Sequence, residues 1–387
     1  MTIREIQPDE LVHYKALCLS VFFDMPRRDI YVETSPEAVN TSSENIYLGA
    51  FSTSGKLLAG LLIIPYTMLM HGKEVKMGGI SGVVTHQTAR GQGLAKKLMA
   101  AAITHMHSGG YEYSFLYPFN FDYYRQFGYE LCLARNKIKL PVSQFTSFPY
   151  PKQITQHSPG QCHAPFDAIY SAFISGCNFA TLRSSNSWEK KLNRNPYTSL
   201  KFSFYAPDAY ILYTASGTTL KVDELCWRSI SGLHDIFGFI GKLSAEFYEL
   251  EWNAPNWLNL QGILPNPYDI SMHTKAVGMA RVIDLDAALS NMYVPCGSGA
   301  CVIEITDPQL ETNNGIFTVK WQNGAIQVSR TPHAAPSITT QVQTLLQLIS
   351  GYTSPACAAL KQGTVIHNAQ ACASLFVLQN SFIAEDF

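Results

Sequence analysis

The sequence lacks the patterns that mark several large classes of protein. Its nine cysteines include no Cys-x-x-Cys pair, and its eleven histidines include no His-Glu-x-x-His set. The odd, scattered cysteines predict reduced thiols rather than a disulfide framework, and we expect no bound metal. The 28 basic and 29 acidic residues nearly cancel, so the chain has no electrostatic footprint for nucleic acid.

Long apolar runs are also missing. The N-terminal sequence MTIREIQPDE carries charges where a signal peptide needs an apolar stretch. The longest apolar stretch, Leu57 to Met70, contains a glycine and a proline, and it is shorter than the ~20 residues of a membrane-spanning helix. We therefore expect a cytoplasmic protein with no membrane partner.

The composition instead suits a chain of several globular domains. With 387 residues, of which 47% are hydrophobic, two to three domains of about 100–200 residues each are expected. Prolines 149, 151, 159 and 165 mark one boundary, and a change of pattern near Ala280 marks another. We therefore predict α/β or α+β domains with mixed sheets at residues 1–147, 148–279 and 280–387.

The first domain alternates between strand and helix patterns. In order, we predict a strand over 2–6, a helix over 10–23, a hairpin of strands over 46–51 and 57–70, a strand ending at 85, a helix, a strand over 113–118, a short helix, and a strand over 135–142. This order, β-α-β-β-β-α-β-α-β, is typical of a mixed α/β sheet.

One segment of this domain has the pattern of an anion site. The strand Ile80–Thr85 is followed by Arg90-Gly91-Gln92-Gly93-Leu94-Ala95, and then by a helical pattern that Gly109-Gly110 ends. The first amides of a helix have no acceptor within it, and the helix dipole adds partial positive charge. Gly91 and Gly93 leave no side chain in the way of a phosphate. The Gly-Lys-Ser/Thr of a P-loop and the third glycine of the dinucleotide fingerprint are both missing.

Two motifs resemble a known family of enzymes. Arg90-x-x-Gly93-x-Ala95 resembles the pyrophosphate loop of the GNAT N-acetyltransferases, which bind acetyl-CoA there. The run Leu-Tyr-Pro…Tyr-Arg-Gln-Phe-Gly-Tyr-Glu over residues 116–130 resembles, more narrowly, acetyltransferases related to the mycobacterial enhanced intracellular survival protein. That family usually has adjacent arginines in the loop, whereas here Gly91 and Gln92 follow Arg90, and Lys96 and Lys97 are the nearest further cations.

The resemblance implies acetyl-CoA as co-substrate and indicates the residues that bind it. The main chain of Val83, Val84 and Thr85 would face the thioester and the pantetheine amides, and Asn120 would lie near the same arm. The pyrophosphate would be bound by the loop residues Arg90, Gly91, Gln92, Gly93, Leu94, Ala95 and Lys96. Tyr124 matches the general acid that protonates the departing thiolate, with Tyr117, Tyr123 and Tyr129 as competing tyrosines.

The last seven residues, 381–387, contain three large apolar side chains and no lysine, arginine or glycine. This composition favours a tail that is packed down over one that frays in solvent. In the family that the chain resembles, a terminal phenylalanine carboxylate reaches into the catalytic cleft, which implies Phe387 as base, either directly or through a water, or as a group that orients the amine. Phe23, Asp24 and Glu385 are candidate substrate contacts, with core packing or simple solvation as the ordinary alternatives.

The other two domains resemble parts of the same family. Residues 210–213 and 222–225 resemble strands of its second, degenerate GNAT-like domain, and residues 280–387 resemble its sterol-carrier-like domain, with a helix predicted over Ser337–Ile349. The resemblance implies an N-acetyltransferase acting on primary amines of a cationic small molecule (aminoglycoside-like, polyamine-like or lysine-like), assembled as a hexamer. The alternative is a non-enzymatic binding module whose sterol-carrier-like domain holds an apolar ligand.

Overall fold

The computed structural model describes residues 1–21, 44–193 and 200–385. The predicted site residues Phe23, Asp24 and Phe387 therefore lie outside the described residues. Within the described parts, no helix is both long and apolar enough to cross a membrane.

The chain forms strands throughout, with α-helices between them. The strands are β1 (Thr2–Glu5), β2 (Ile46–Phe51), β3 (Leu57–Met70), β4 (Lys73–Thr85), β5 (Tyr113–Leu116), β6 (Glu130–Pro141), β7 (Thr155–Gln156), β8 (Cys177–Asn178), β9 (Ala180–Thr181), β10 (Lys201–Ala206), β11 (Ala209–Ser216), β12 (Thr219–Trp227), β13 (Glu249–Pro255), β14 (Ser271–Val282), β15 (Gly299–Thr306), β16 (Gly315–Gln322), β17 (Ala325–Arg330), β18 (Ile338–Gln341), β19 (Val365–Ile366) and β20 (Asn380–Ser381). The α-helices are α1 (Leu11–Val21), α2 (Leu94–Ser108), α3 (Phe121–Arg125), α4 (Ala164–Ile174), α5 (Ser185–Leu192), α6 (Ile230–Lys242), α7 (Leu285–Ser290), α8 (Val342–Ile349), α9 (Pro355–Ala358) and α10 (Ala369–Leu375).

The first part of the chain builds a sheet strand by strand. β1 to β4 pair in sequence as antiparallel neighbours, and β4 continues into a parallel pair with β5. Helix α2 makes that parallel crossover, and its apolar residues, including Leu98 and Ala102, are buried with side chains of the sheet. It ends at Ser108, where Gly110 has a φ of +67°. The predicted order of elements is confirmed here.

Strand β14 joins the sheet far from its neighbours in the chain. It lies between β5 and β6 and pairs antiparallel with both. The sheet around the first domain thus contains residues from both sides of the boundary predicted between residues 279 and 280. The sequence predicted a strand only from Arg281 onwards, and most of β14 was missed because its first six residues are exposed and largely polar.

The same sheet continues from β6 into the middle of the chain. Its order there is β6-β13-β12-β11-β10-β7, and the whole sheet has 13 strands. Helix α6 covers one face and lies close to the main chain that follows β6. Gly238 permits this approach, since a Cβ there would lie only 1.9 Å from the carbonyl oxygen of Pro149. The helix thereby closes a core that includes Phe237 and Trp252.

The last part of the chain forms a second sheet, in the order β17-β16-β15-β18-β19. The helix predicted over Ser337–Ile349 is wrong in its first half. Residues Ile338–Gln341 instead form β18, parallel to β15, because isoleucine and threonine are β-branched and favour strands. Helix α8 begins only at Val342, and seven of its eight residues are buried. It packs in one core with side chains of both sheets, such as Phe115 and Phe317.

Candidate active site

A cleft opens where β4 and β5 separate. The two strands pair only from Met77–Tyr113 to Ile80–Leu116, whereas β4 stays paired with β3 as far as Thr85. Residues 81–85 therefore have a strand neighbour on the β3 side only. The side chain of Val84 is buried against α1, and that of Val83 packs against the α2 core. What this edge of β4 offers to a ligand is therefore main-chain N–H and C=O groups.

A bulge at Gly82 produces the separation. The β3–β4 register shifts at this point, and Gly82 has a φ of +56°, which favours glycine. Its carbonyl accepts a hydrogen bond of 2.9 Å from the hydroxyl of Tyr14 in α1. A Cβ at Gly82 would lie 2.1 Å from that hydroxyl oxygen, so the bulge depends on glycine for two reasons.

The loop after β4 presents a row of unsatisfied amides. None of the six main-chain N–H groups from Gly91 to Lys96 donates to an acceptor among the described residues, and the amide of Lys97 is the first to bond back, to Gly93. No side chain caps α2. Because the dipole of a 15-residue helix adds positive potential at this end, the row is suited to an anion.

The two glycines keep this row accessible. Gly91 and Gly93 both have positive φ, at +79° and +70°, and a Cβ on either would have nothing within 4 Å. Arg90 and Lys96 are exposed beside them, while Leu94 is buried and anchors the helix. Ala95 is half-buried and Gln92 exposed. The loop therefore fits a diphosphate, with room on its open side.

Tyr124 lies in a cluster of aromatic rings. It is 3% exposed and belongs to the same buried cluster as Leu94 and Leu98. Its ring contacts those of Phe119 and Tyr123 at centroid distances of 5.3 and 5.1 Å. Burial raises the pKa of Tyr124 well above its usual value, and neighbouring tyrosines add to the rise. The phenol therefore stays protonated at neutral pH, as a proton donor requires.

The competing tyrosines are mostly engaged elsewhere. The hydroxyl of Tyr129 lies 2.7 Å from that of Ser114 in the core, and burial raises its pKa to about 12. The hydroxyl of Tyr117 donates to the main-chain oxygen of Glu385 at 2.6 Å. Those of Tyr123 and Tyr124 have no hydrogen-bond partner among the described residues. Of the four tyrosines, Tyr123 and Tyr124 are therefore the two whose hydroxyls are available as proton donors.

Asn120 has a clear local role. Its side-chain oxygen accepts a hydrogen bond of 2.9 Å from the amide of Tyr123 and caps the N-terminus of α3. The side chain is exposed, so its amide nitrogen remains free to meet a ligand. As a helix cap, Asn120 fixes the start of the short helix that carries Tyr124.

The tail is held along its described length, as predicted. β20 pairs with β8, and Ile383 is fully buried. Arg135 donates to the carbonyl of Ile383, and Lys191 donates to that of Ala384 at 2.9 Å. The contact between Tyr117 and Glu385 then brings the chain to the end of β5, where the cleft begins. We did not predict these donors, since no local pattern links them to the tail.

Glu385 is part of a buried ion cluster. Arg183, whose side chain is 1% exposed, binds Glu385 at 2.6 Å and Glu224 through two hydrogen bonds. Burial alone would raise the pKa of Glu224, but Arg183 and Lys191 outweigh it and hold the pKa of that carboxyl well below its usual range. The guanidinium of Arg183 also lies over the ring of Tyr170. The carboxylate of Glu385 is thus largely neutralised.

A cavity of about 1050 Å³ lies beside the tail. Its walls include Phe382 and Ala384 of the tail, and residues of β6, β12 and β13. Lys190, Lys201 and Lys221 line it, and none of the three has an ion-pair or hydrogen-bond partner among the described residues. Arg135 and Lys191 also line the cavity, together with Asp223, Glu224 and Glu251, so five cations face three carboxylates and the lining is basic on balance.

Of the predicted site residues, the structure brings Val83, Leu94 and Tyr124 into one cluster, with Glu385 reaching the end of β5. Within the described ranges, no group of three or more His, Cys, Asp or Glu could hold a metal ion.

Two family models match the chain. Residues 2–132 match the acetyltransferase (GNAT) domain, and residues 285–382 match the sterol carrier protein domain. A search of curated proteins finds no match.

Solved structures share the whole fold. A probable N-acyltransferase from Enterococcus faecalis V583 is 19% identical, with a TM-score of 0.86 over 100% of this chain and 99% of its own. A GCN5-related N-acetyltransferase from Anabaena variabilis (18%, TM-score 0.87) and Eis1 from Mycobacterium abscessus (18%, TM-score 0.81) each match over 100% of both chains. These structures show the fold that the chain shares. Because residues 2–132 match the acetyltransferase (GNAT) domain, the protein is an acetyltransferase, and a sterol carrier protein domain belongs to the same chain.

Proposed function

We propose that the protein is an acetyl-CoA-dependent N-acetyltransferase of the enhanced intracellular survival family that acts on primary amines in the cytoplasm, and that it assembles as a hexamer. The observation that carries the catalytic part is the row of six unpaired amides from Gly91 to Lys96 beside the open edge of β4. When bound, acetyl-CoA supplies an activated acetyl group. The family and the hexamer rest on sequence resemblance.

The loop and the β4 edge position the co-substrate. The amides of Gly91 to Lys96 bind the pyrophosphate, with Arg90 beside it, because unpaired amides and a helix N-terminus favour negative charge. The main chain of Val83, Val84 and Thr85 donates to the pantetheine arm and polarises the thioester carbonyl. The side-chain nitrogen of Asn120, whose oxygen caps α3, lies near the same arm.

Tyr124 gives its proton to the sulfur as the C–S bond breaks. The acceptor nitrogen, which must be unprotonated to attack the carbonyl carbon, forms the new C–N bond and loses one proton. The terminal carboxylate of Phe387 takes that proton, takes it through a water, or orients the amine. Support comes from the tail, because the main-chain oxygen of Glu385 already accepts a hydrogen bond from Tyr117 at the end of β5.

The acceptor is a primary amine. The resemblance favours a cationic, aminoglycoside-like or polyamine-like molecule that contacts Phe23, Asp24 and Glu385. The pairing of Glu385 with Arg183 and the lysines of the nearby cavity instead favour an acceptor with an acidic group, as in lysine. A panel of an aminoglycoside, spermidine, lysine, and the matched pair hexylamine and 6-aminohexanoate separates these classes.

The loop is tested by Gly93→Val, with Gly217→Val as the matched control. Both glycines have positive φ and open space where a side chain would begin, so both variants suffer similar backbone strain. We expect calorimetry to show loss of CoA binding in Gly93→Val only. Unchanged CoA affinity in a folded Gly93→Val variant would refute the assignment of the loop.

A further inference from the structure

Side chains of the sterol carrier protein domain bind the main chain just after Tyr124. The amide nitrogen of Gln343 donates to the carbonyl of Arg125 at 3.1 Å, and that of Gln309 donates to the carbonyl of Gln126 at 3.1 Å. Further along, Gln347 donates to the carbonyl of Leu131 at 2.5 Å. These glutamines come from α8 and from the loop after β15.

A buried arginine completes the set. Arg281 of β14 donates to the carbonyl of Phe127, and its guanidinium also binds Asp307 of the sterol carrier protein domain at 2.5 Å. Both side chains of that ion pair are fully buried. Gly128 leaves the space for it, because its φ is +82° and a Cβ there would lie 2.9 Å from Arg281.

An ion pair fixes the other side of the same turn. Glu130 accepts hydrogen bonds from Arg125 and from Lys361 of the sterol carrier protein domain, at 3.1 and 3.2 Å. Burial alone would raise the pKa of Glu130, but the hydrogen bonds from Arg125 and from the amide of Leu131, together with the charge of Lys361, lower it overall. The carboxylate thus stays charged and holds the end of α3 against the distant domain.

These contacts supply what α3 lacks by itself. A helix of five residues is too short to be stable alone. The carbonyls at its end also receive no hydrogen bond from within the helix. The carbonyl of Tyr124 is satisfied by the amide of Phe127. That of Arg125 accepts from the amide of Gly128 as well as from Gln343. Those of Gln126 and Phe127 receive only side chains, from Gln309 of the sterol carrier protein domain and from Arg281 of β14.

We propose that the sterol carrier protein domain works as the scaffold of the proton donor, with Gln309 and Gln343 as positioning residues that fix the turn after Tyr124. This inference rests on the acid role of Tyr124 given under the proposed function. The packing of the domain agrees with this role, because its apolar face shares a core with the first sheet through residues such as Phe115 and Leu345. The domain's contribution is then to kcat rather than to the binding of an apolar ligand.

The test uses Gln309→Glu and Gln343→Glu in the full-length protein, singly and together. Glutamate keeps the shape of glutamine but has no N–H to donate. Gln370→Glu, an exposed position in α10 of the same domain, is the matched control. Each variant is made with Tyr124 present and in a Tyr124→Phe background. The kcat for the best amine of the panel and the Kd for CoA are measured.

With Tyr124 present, we expect the double variant to lose about 10–100-fold in kcat, as small displacements of a catalytic group do, with the Kd for CoA within twofold. In the Tyr124→Phe background, the same changes should alter kcat less than twofold, since the residue they position is already disabled. Gln370→Glu should behave as wild type in both. If the double variant fails to fold, as judged by CoA binding, the single variants decide in the same way.

An equal loss in both backgrounds, or no loss in either, would overturn the inference while leaving Tyr124 as the acid. Wild-type kcat in Tyr124→Phe would remove the acid role, and this inference with it. Absence of turnover on every amine of the panel would refute the proposed function itself.

Discussion

Replacing Arg183 with methionine should destabilise the protein and release its tail. The arginine is 1% exposed and makes two hydrogen bonds to Glu224, which is also 1% exposed, and two more to Glu385. Methionine keeps much of the volume but leaves Glu224 with Lys191 as its remaining cation. Removal of one partner of a buried pair typically costs about 3–5 kcal/mol. At about 2.1 cal/mol/K of unfolding entropy per residue, a chain of 387 residues shifts by about 1.2 °C per kcal/mol, so Tm should fall by about 4–6 °C.

Arg228→Met is the matched control. Arg228 binds Asp208 at the same distance, 2.7 Å, but the two side chains are 45% and 35% exposed. Exposed pairs contribute about 0–1 kcal/mol, so its Tm should change by about 1 °C or less. Thermal unfolding followed by fluorescence measures both. At a temperature where both variants are folded, Arg183→Met should also lose kcat and keep its affinity for CoA, since the loop lies elsewhere. Equal Tm values for the two variants would contradict the reasoning.

Three further results are expected. Burial lowers the pKa of His71 to about 4 from about 6.5 in the unfolded state. The unfolded state therefore binds more protons between these two values, and the free energy of unfolding should fall by about 2–3 kcal/mol as pH drops from 6.5 to 4. The variant His71→Asn, which tolerates the positive φ at this position, should flatten the dependence of Tm on pH, and an unchanged slope would exclude His71 as its source. Gly82→Ala should weaken CoA binding and lower Tm more than Gly55→Ala does. Both glycines have a positive φ, but only at Gly82 would the new Cβ clash, at 2.1 Å from the hydroxyl of Tyr14. Equal changes of CoA affinity, measured by calorimetry, and of Tm in the two variants would argue against the role of the bulge. A C-terminal tag or deletion of Phe387 should abolish acetylation in a steady-state assay without loss of CoA binding. An N-terminal tag should leave acetylation unchanged. Full activity with a C-terminal tag would exclude the terminal carboxylate from the reaction.

The loop could be predicted because its evidence is local. A β-branched strand, two glycines and an amphipathic helix lie within 30 residues of each other, and each element has its own signal in the sequence. The short helix and the glycine break after β5 were predictable for the same reason. The resemblance added the proposed role of Tyr124.

The contacts that hold this site together could not be predicted. Gln343 and the carbonyl that it binds are 218 positions apart, and Arg183 and Glu385 are 202 apart. Glutamine and arginine on their own carry no sign of the partner that they will meet. The helix predicted across Ile338 was wrong because sheet pairing decided the structure of a segment whose apolar spacing also suits a helix.

The place of β14 in the sheet has a consequence for how the chain folds during synthesis. About 140 residues separate the end of β6 from the end of β14. At about 5–20 residues per second, the ribosome needs about 7–28 seconds to add them. Until then, the edges of β5 and β6 have no partner in the gap that β14 later fills, and such edges can pair with other chains. The nascent acetyltransferase domain is therefore a natural substrate for chaperones during this interval.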